Sequence, residues 1–257
     1  MKPIVKPYVA LLLIALVWVS CKKPDEPPID CTPPPSNSGT LKINFNATYN
    51  GVPLVLFTDY TTVENHRIRP EELRFLVSDM WSEDSLGDSI YIKDAFKYDL
   101  AAGVISATIA MSPGNYNGLG FSLGVNAVKN HANPAIYPLG HPLAVGPMHW
   151  DWANGYIFTM YGGKVDTSGT GTGPLNITYG FHAGADTLFS PLPLFPHAYS
   201  IALGSTTEIN VDVNVAKFLS NVSDTIDLRY DNVTHTFSNL PLAIRFMNLY
   251  KLAFSIP

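Results

Sequence analysis

Between residues 41 and 49 this chain alternates without a break: Leu41, Ile43, Phe45, Ala47 and Tyr49 on one side, Lys42, Asn44, Asn46 and Thr48 on the other. A period of two commits a segment to a β-strand with one buried face, because successive side chains point to opposite faces of a sheet. Asn50-Gly51 follows, and residues 52–57 are again mostly apolar. Both residues of an Asn-Gly pair tolerate the positive φ of a type I′ turn, so the spacing predicts a hairpin. Ile209, Val211, Val213 and Val215 alternate in the same way with Asn210, Asp212 and Asn214. Further strands are expected over 72–77, 89–92, 104–111, 118–123, 155–161, 175–183 and 199–203, with breaks at Pro113-Gly114, Gly162-Gly163 and between Pro191 and Pro196. Helical signals are confined to a turn or two at 215–220 and a short helix within 240–254. Many short strands separated by turns predict an all-β chain folded as an antiparallel β-sandwich.

The first 39 residues belong outside that core. Residues 1–20 carry Lys2 and Lys6, an apolar run from Tyr8 to Val19, and Ser20 just before Cys21. A basic start, a short apolar stretch and a small residue before a cysteine read as a lipoprotein signal peptide with Cys21 as the lipidated residue. The apolar run is too short to span a bilayer comfortably. Residues 21–39 are rich in proline and poor in large apolar side chains, as expected of a disordered, lipid-anchored tether. The sandwich domain is then residues 40–257, exported to the periplasm or cell surface of a Gram-negative bacterium. With Cys21 acylated, Cys31 is the remaining cysteine and lies in the tether, so the body has neither a disulfide nor a thiolate metal site. A formal net charge of -5 provides no basic face, and no nucleic-acid partner is expected.

Reactive side chains concentrate between residues 130 and 158. His131, His141 and His149 lie there with Met148, Trp150, Trp152 and Tyr156. Imidazoles are the commonest ligands of copper and zinc. His182 stands in a Tyr-Gly-Phe-His-Ala-Gly run at the end of an expected strand; two histidines brought together from a loop and a strand would hold a copper ion. Taken singly, each is more often a hydrogen-bonded loop or core residue than a ligand, and His66, His197 and His235 stand beside nothing else reactive. Met148, Trp150 and Trp152 share one side of an extended segment. They read either as a core wedge or as an oxidisable group beside a metal. Hydrolytic chemistry has little support: no cysteine with a histidine partner lies in the body, and Glu71-Glu72 are expected to face solvent at a strand entrance. The run Thr-Ser-Gly-Thr-Gly-Thr-Gly at 167–173 lacks the Gly-Lys-Ser/Thr ending of a phosphate loop and reads as a hairpin loop.

The order of these features resembles the MbnP-like family of exported copper-binding proteins, found in methanotrophs and as Bacteroidetes-type lipoproteins. Its most recognisable motif corresponds here to Met148-His149-Trp150-Asp151-Trp152-Ala153-Asn154-Gly155-Tyr156-Ile157-Phe158. Gly124-Val125-Asn126 with Asn130-His131 and Pro134, Gly180-Phe181-His182-Ala183-Gly184, the Gly-x-Pro-Leu at 51–54 and the segment 72–78 are similar to further family elements. The resemblance covers residues 40–257. It implies a β-sandwich, a bound copper and histidine ligands. In some members it also implies a tryptophan oxidised to kynurenine by a dihaem, peroxidase-like cytochrome. His131 and His182 become the leading ligands. His149 replaces the family's usual aromatic residue and becomes an additional ligand candidate. Trp150, Trp152, Met148 and Tyr156 take the neighbouring or oxidisable positions. Ala183 stands where a larger aliphatic residue is usual. On this reading the protein captures or handles copper and is not an enzyme. The rival is a surface adhesion or glycan-binding lipoprotein in which Trp150, Trp152 and Tyr156 stack on sugar rings, which requires them to be exposed.

Overall fold

The computed structural model describes residues 37–151 and 154–257. The signal and the greater part of the tether therefore lie outside the described residues, as does Trp152. The long strands are β1 (Gly39–Tyr49), β2 (Arg67–Asp84), β3 (Ser89–Asp99), β4 (Ser106–Met111), β5 (Gly114–Leu123), β6 (Thr159–Asp166), β7 (Ile177–Ala183), β8 (Phe195–Ile201) and β9 (Thr206–Asn214). Helices α1 (Ala127–Asn130) and α2 (Leu240–Tyr250) are short, and several two- or three-residue strands fill the connections. The all-β expectation holds.

The smaller sheet runs β9–β1–β4, extended by Val52–Pro53 and Phe254–Ser255. Leu41, Ile43 and Phe45 of β1 face the core, as their alternation requires. Asn50 and Gly51 both have positive φ, 51° and 84°, closing the expected hairpin. The sheet is mixed rather than antiparallel throughout, because β1 and β9 pair in parallel from Thr40↔Thr206 to Thr48↔Asn214. The larger sheet is built on the long β2. Its residues pair with β6 over 67–75, with β5 over 77–84 and with β3 over 74–83. Register shifts around Asp79 to Trp81, where Asp79 takes a positive φ of 49°, curl this sheet. The order continues from β6 to β7, whose far edge pairs in parallel with Val233–Thr234.

Aromatic side chains fill the space between the sheets. Phe75 stacks on Tyr98 at 4.3 Å, and Phe45 meets Phe75 and Phe121 edge-on at 5.9 Å each. Helix α2 starts where Asn239 accepts a hydrogen bond from the Leu242 amide, with Pro241 in its first turn. It buries Leu242, Ala243, Phe246, Met247, Leu249 and Tyr250, and Phe246 lies flat on Phe181 of β7 at 4.6 Å. The helix therefore backs the strand that carries His182.

Several expected strands run longer than their sequence signal, 72–77 becoming 67–84, 89–92 becoming 89–99 and 118–123 becoming 114–123, and the break expected at Gly162-Gly163 is a register shift inside β6. Three others change more. The 52–57 strand leaves the sheet after Pro53, and the Val55 amide donates to the Tyr60 hydroxyl instead of a ladder carbonyl. The expected 155–161 strand is divided, because the Ile157 amide turns to Met148 O and the Phe158 amide to Ala183 O. The last one begins at Phe195 rather than Tyr199, with Pro196 accommodated at a register shift. The glycine-rich 167–173 run lies in the β6–β7 connection, as expected of a hairpin loop.

Candidate functional site

His182 projects from β7 between buried Phe181 and Ala183, so its ring lies on the face of the large sheet opposite the aromatic core. Three residues form one cross-strand row there: Arg74 on β2, Met160 on β6 and His182 on β7. The adjacent row on the same face is Glu72, Gly162 and Gly180, two of which have no side chain. A Cβ added at Gly180 would meet nothing within 4 Å, so the sheet is bare beside His182. Glu72 Oε2 lies 3.6 Å from His182 Nε2, while Glu72 Oε1 accepts from Arg74 Nη1 at 2.6 Å and Arg74 Nε donates to Asp99 Oδ2 at 2.9 Å. Glu72 is therefore part of an ordered charge network and not merely a solvent-facing acid at a strand entrance.

The second imidazole at this place is His235, whose ring centre lies 4.9 Å from that of His182, tilted by 36°. Fully buried Thr236 joins the two. Its hydroxyl donates to the His182 carbonyl at 3.0 Å and accepts from the Gly184 amide at 2.9 Å. Thr236 has a φ of +54°, a rare conformation for a β-branched residue. The His235 amide is held by Ser238 Oγ at 3.0 Å. Burial, reinforced by the neighbouring His235, holds the His182 pKa below its ordinary value against the opposing pull of Glu72. Its ring is therefore neutral at neutral pH, the state that coordinates a metal.

The segment 130–158 is organised differently. His131 Nε2 lies 2.8 Å from Asp186 Oδ2, and Asn130 Nδ2 donates to Asp186 Oδ1 at 2.8 Å. Burial acts to raise the Asp186 pKa, but the hydrogen bonds from His131 and Asn130 outweigh it and keep the carboxyl ionised. The ionised carboxylate only accepts, so His131 donates to it from Nε2. Asn130 also accepts from the Tyr156 amide at 2.7 Å. Gly155, at φ +71°, has no room for a Cβ: the added atom would fall 2.3 Å from Asn130 Oδ1. His141 is engaged at both nitrogens, Nε2 against Asp94 Oδ2 at 3.1 Å and Nδ1 accepting from the Leu143 amide at 3.1 Å.

His149 meets Tyr156 edge-on at 4.8 Å. Met148 is buried, and half-buried Trp150 packs on the core. Tyr156 is 1 % exposed and its hydroxyl donates to the Leu143 carbonyl. This corrects the sugar-stacking reading of Tyr156, because a ring enclosed on both faces presents none to a ligand. The described contacts of His131 and of His182 share no residue. Among the described residues, no group of three or more histidine, cysteine, aspartate and glutamate side chains is disposed to hold a metal ion. His235, Asp186 and Glu72 are the functional candidates that sequence reasoning did not single out. Along the chain His235 has no reactive neighbour, and the one it has in the fold, His182, comes from a distant strand.

Residues 38–236, more than half of the chain, match the family model described as MbnP. A solved structure described as MbnP from Methylosinus trichosporium has a TM-score of 0.49 and 17 % identity, covering 74 % of this chain and 80 % of that chain. No curated protein matches.

Proposed function

This chain belongs to the MbnP family, and from that premise we propose that it is an exported copper-binding protein that takes the metal on the imidazoles of His182 and His235. The observation that carries the reading is the pairing of those two rings, 4.9 Å apart on the outer face of the large sheet with His182 held neutral. The residues present suit copper. Imidazole is a favoured copper ligand, and a carboxylate beside one ring nitrogen, as Glu72 stands beside His182 Nε2, is the usual means of orienting a ligating ring. Copper bound there would be cargo to be captured and handed on, with no turnover by the protein itself.

The rest of the proposal concerns export and maturation. Lipidation of Cys21 tethers the protein to a membrane facing the periplasm or the cell exterior. A dihaem, peroxidase-like cytochrome oxidises Trp150 or Trp152 to kynurenine. His131 and His149 remain further imidazole candidates, apart from this pair in their described contacts.

Titration of the purified protein with copper tests the site. One copper per chain is expected, and His182→Ala and His235→Ala should each weaken binding by about tenfold or more, since loss of a ligand exceeds the effect of losing an orienting partner. Identical copper isotherms for the wild type and the His182→Ala/His235→Ala double variant would refute it. Intact mass after co-expression with the cytochrome reads the tryptophan oxidation separately.

A further inference from the structure

We infer that Lys129 and Asp79 become joined by an intramolecular isopeptide bond, formed by loss of water from the ion pair that the structure holds and assisted by the side-chain amide of Asn126. The bond ties α1 to β2 and is independent of how the histidines are used.

The backbone delivers the two reacting groups to each other. Asp79 sits where the ladders from β2 to β3 and to β5 both change register, and its φ of +49° takes it out of the strand's alternation. Lys129 belongs to α1, whose capping residue Asn126 accepts from the Lys129 amide through Oδ1 at 3.1 Å. Lysine is almost never covered unless it is paired, and Lys129 is only 8 % exposed. Its Nζ lies 2.5 Å from Asp79 Oδ1, closer than the roughly 2.7–2.9 Å of an ordinary ammonium–carboxylate hydrogen bond. A second hydrogen bond, to the Asp94 carbonyl at 3.1 Å, orients the amine.

The groups around the pair are those that acyl transfer to an amine requires. Asp79 Oδ2 accepts from Asn126 Nδ2 at 3.2 Å, and the hydroxyl of fully buried Ser78 stands 3.5 Å from the same oxygen. Donors placed there stabilise the negative charge that this oxygen carries once nitrogen has added to Asp79 Cγ. Burial acts to raise the Asp94 pKa, but the hydrogen bond from His141 at 3.1 Å and the charge of Lys129 outweigh it. The resulting carboxylate is a base beside the ammonium. No oxidant or co-reactant is needed. Lys129 Nζ bonds to Asp79 Cγ, the Cγ–Oδ1 bond breaks, and two of the three ammonium protons leave with Oδ1 as water. Free ammonium and carboxylate do not condense in water, whereas oriented groups within one molecule reach effective molarities of about 10⁵–10⁸ M. The Asp79 side chain keeps 31 % of its surface exposed, which gives the released water an exit. The plainer role of the pair is an ion pair that pins α1 to the sheet. The amide makes the same connection permanent between residues 50 positions apart.

Tryptic peptide mapping of the purified protein by mass spectrometry tests this, for the wild type, Lys129→Arg, Asp79→Ala and Asn126→Asp. The wild type should resist cleavage after Lys129 and yield a branched peptide carrying both residues, about 18 Da (one water) below the sum of its two linear parts. Lys129→Arg and Asp79→Ala should yield linear peptides only, and circular dichroism spectra matching the wild type show that each still folds. Asn126→Asp keeps an oxygen to cap α1 and removes the amide donor. In newly synthesised protein followed over time, its cross-link should form about a hundredfold more slowly. Wild-type peptides that end at Lys129 and carry Asp79 at their full linear masses, without the branched species, would overturn the isopeptide. Equal rates in the wild type and Asn126→Asp would overturn the role of the amide and leave the bond standing.

Discussion

Thr236→Val should destabilise the protein by about 1.5–4.5 kcal/mol, and the structure says where that figure comes from. Valine keeps the shape and the β-branch, so the unfavourable φ of +54° is the same before and after. What is lost is one hydroxyl, which donates to the His182 carbonyl and accepts from the Gly184 amide. Gly184 is buried, and a Cβ there would lie 2.1 Å from the Tyr156 carbonyl oxygen, so no water can enter to replace the hydroxyl. A buried amide left without a partner costs about 1–3 kcal/mol, and loss of the second hydrogen bond adds about 0.5–1.5 kcal/mol. Thr236→Ser is the control: it retains both hydrogen bonds and should lose only the methyl, about 1 kcal/mol. Urea unfolding, read as a shift in midpoint at constant slope, measures both variants. A valine variant as stable as the serine variant would refute the claim that the hydroxyl fastens the His235 turn to β7.

Three further outcomes are expected. Phe246→Ala should cost about 3–5 kcal/mol, because its fully buried ring stacks on Phe181 at 4.6 Å and the helix cannot collapse into the space; a loss below about 1 kcal/mol in urea unfolding would contradict that packing. Gly184→Ala should destabilise by about 1–3 kcal/mol or more, since the new methyl meets only backbone, the Tyr156 carbonyl at 2.1 Å and Ile157 Cα at 2.9 Å; an unchanged thermal midpoint would show that the approach is looser than drawn. The third concerns pH: the metal-free His182 pKa is lowered by burial and by His235, so below its ordinary value of about 6.5 the unfolded chain binds more protons than the folded one. That contribution to stability is complete above about pH 6.5 and is lost as pH falls toward the depressed folded value, so His182→Gln should flatten the decline in urea midpoint across this window, and parallel curves would argue against a desolvated ring.

The strands were legible in sequence wherever one face is buried and the other wet. β1 and β9 show strict alternation, and the Asn50-Gly51 turn needs a positive φ that those two residues supply. Strand orientation was not legible, because alternation is identical in parallel and antiparallel ladders; β1 meets β9 only after every long strand of the larger sheet has intervened in sequence. The boundaries that moved did so where backbone partners change, as at Ile157 and Phe158, whose amides turn to Met148 and Ala183. Such switches depend on which strand lies alongside, and no local pattern records it.

The site was less legible for a related physical reason. Sequence reasoning looks for reactive side chains crowded along the chain, and that density singled out 130–158, where the structure uses His131 and His141 in carboxylate pairs with Asp186 and Asp94. On a sheet, by contrast, neighbours are set by register. Met160 stands beside His182 because β6 and β7 pair at those two positions, and shifting that pairing by one residue would put Tyr161 or Thr159 there instead. His235 joins them from a turn that a single buried threonine holds against the end of β7. Each residue taken alone resembles ordinary core or loop composition. Their chemistry exists only in the pairing, so the register of β6 against β7 fixes which side chains can meet, and the Thr236 hydroxyl fixes whether the second imidazole stays among them.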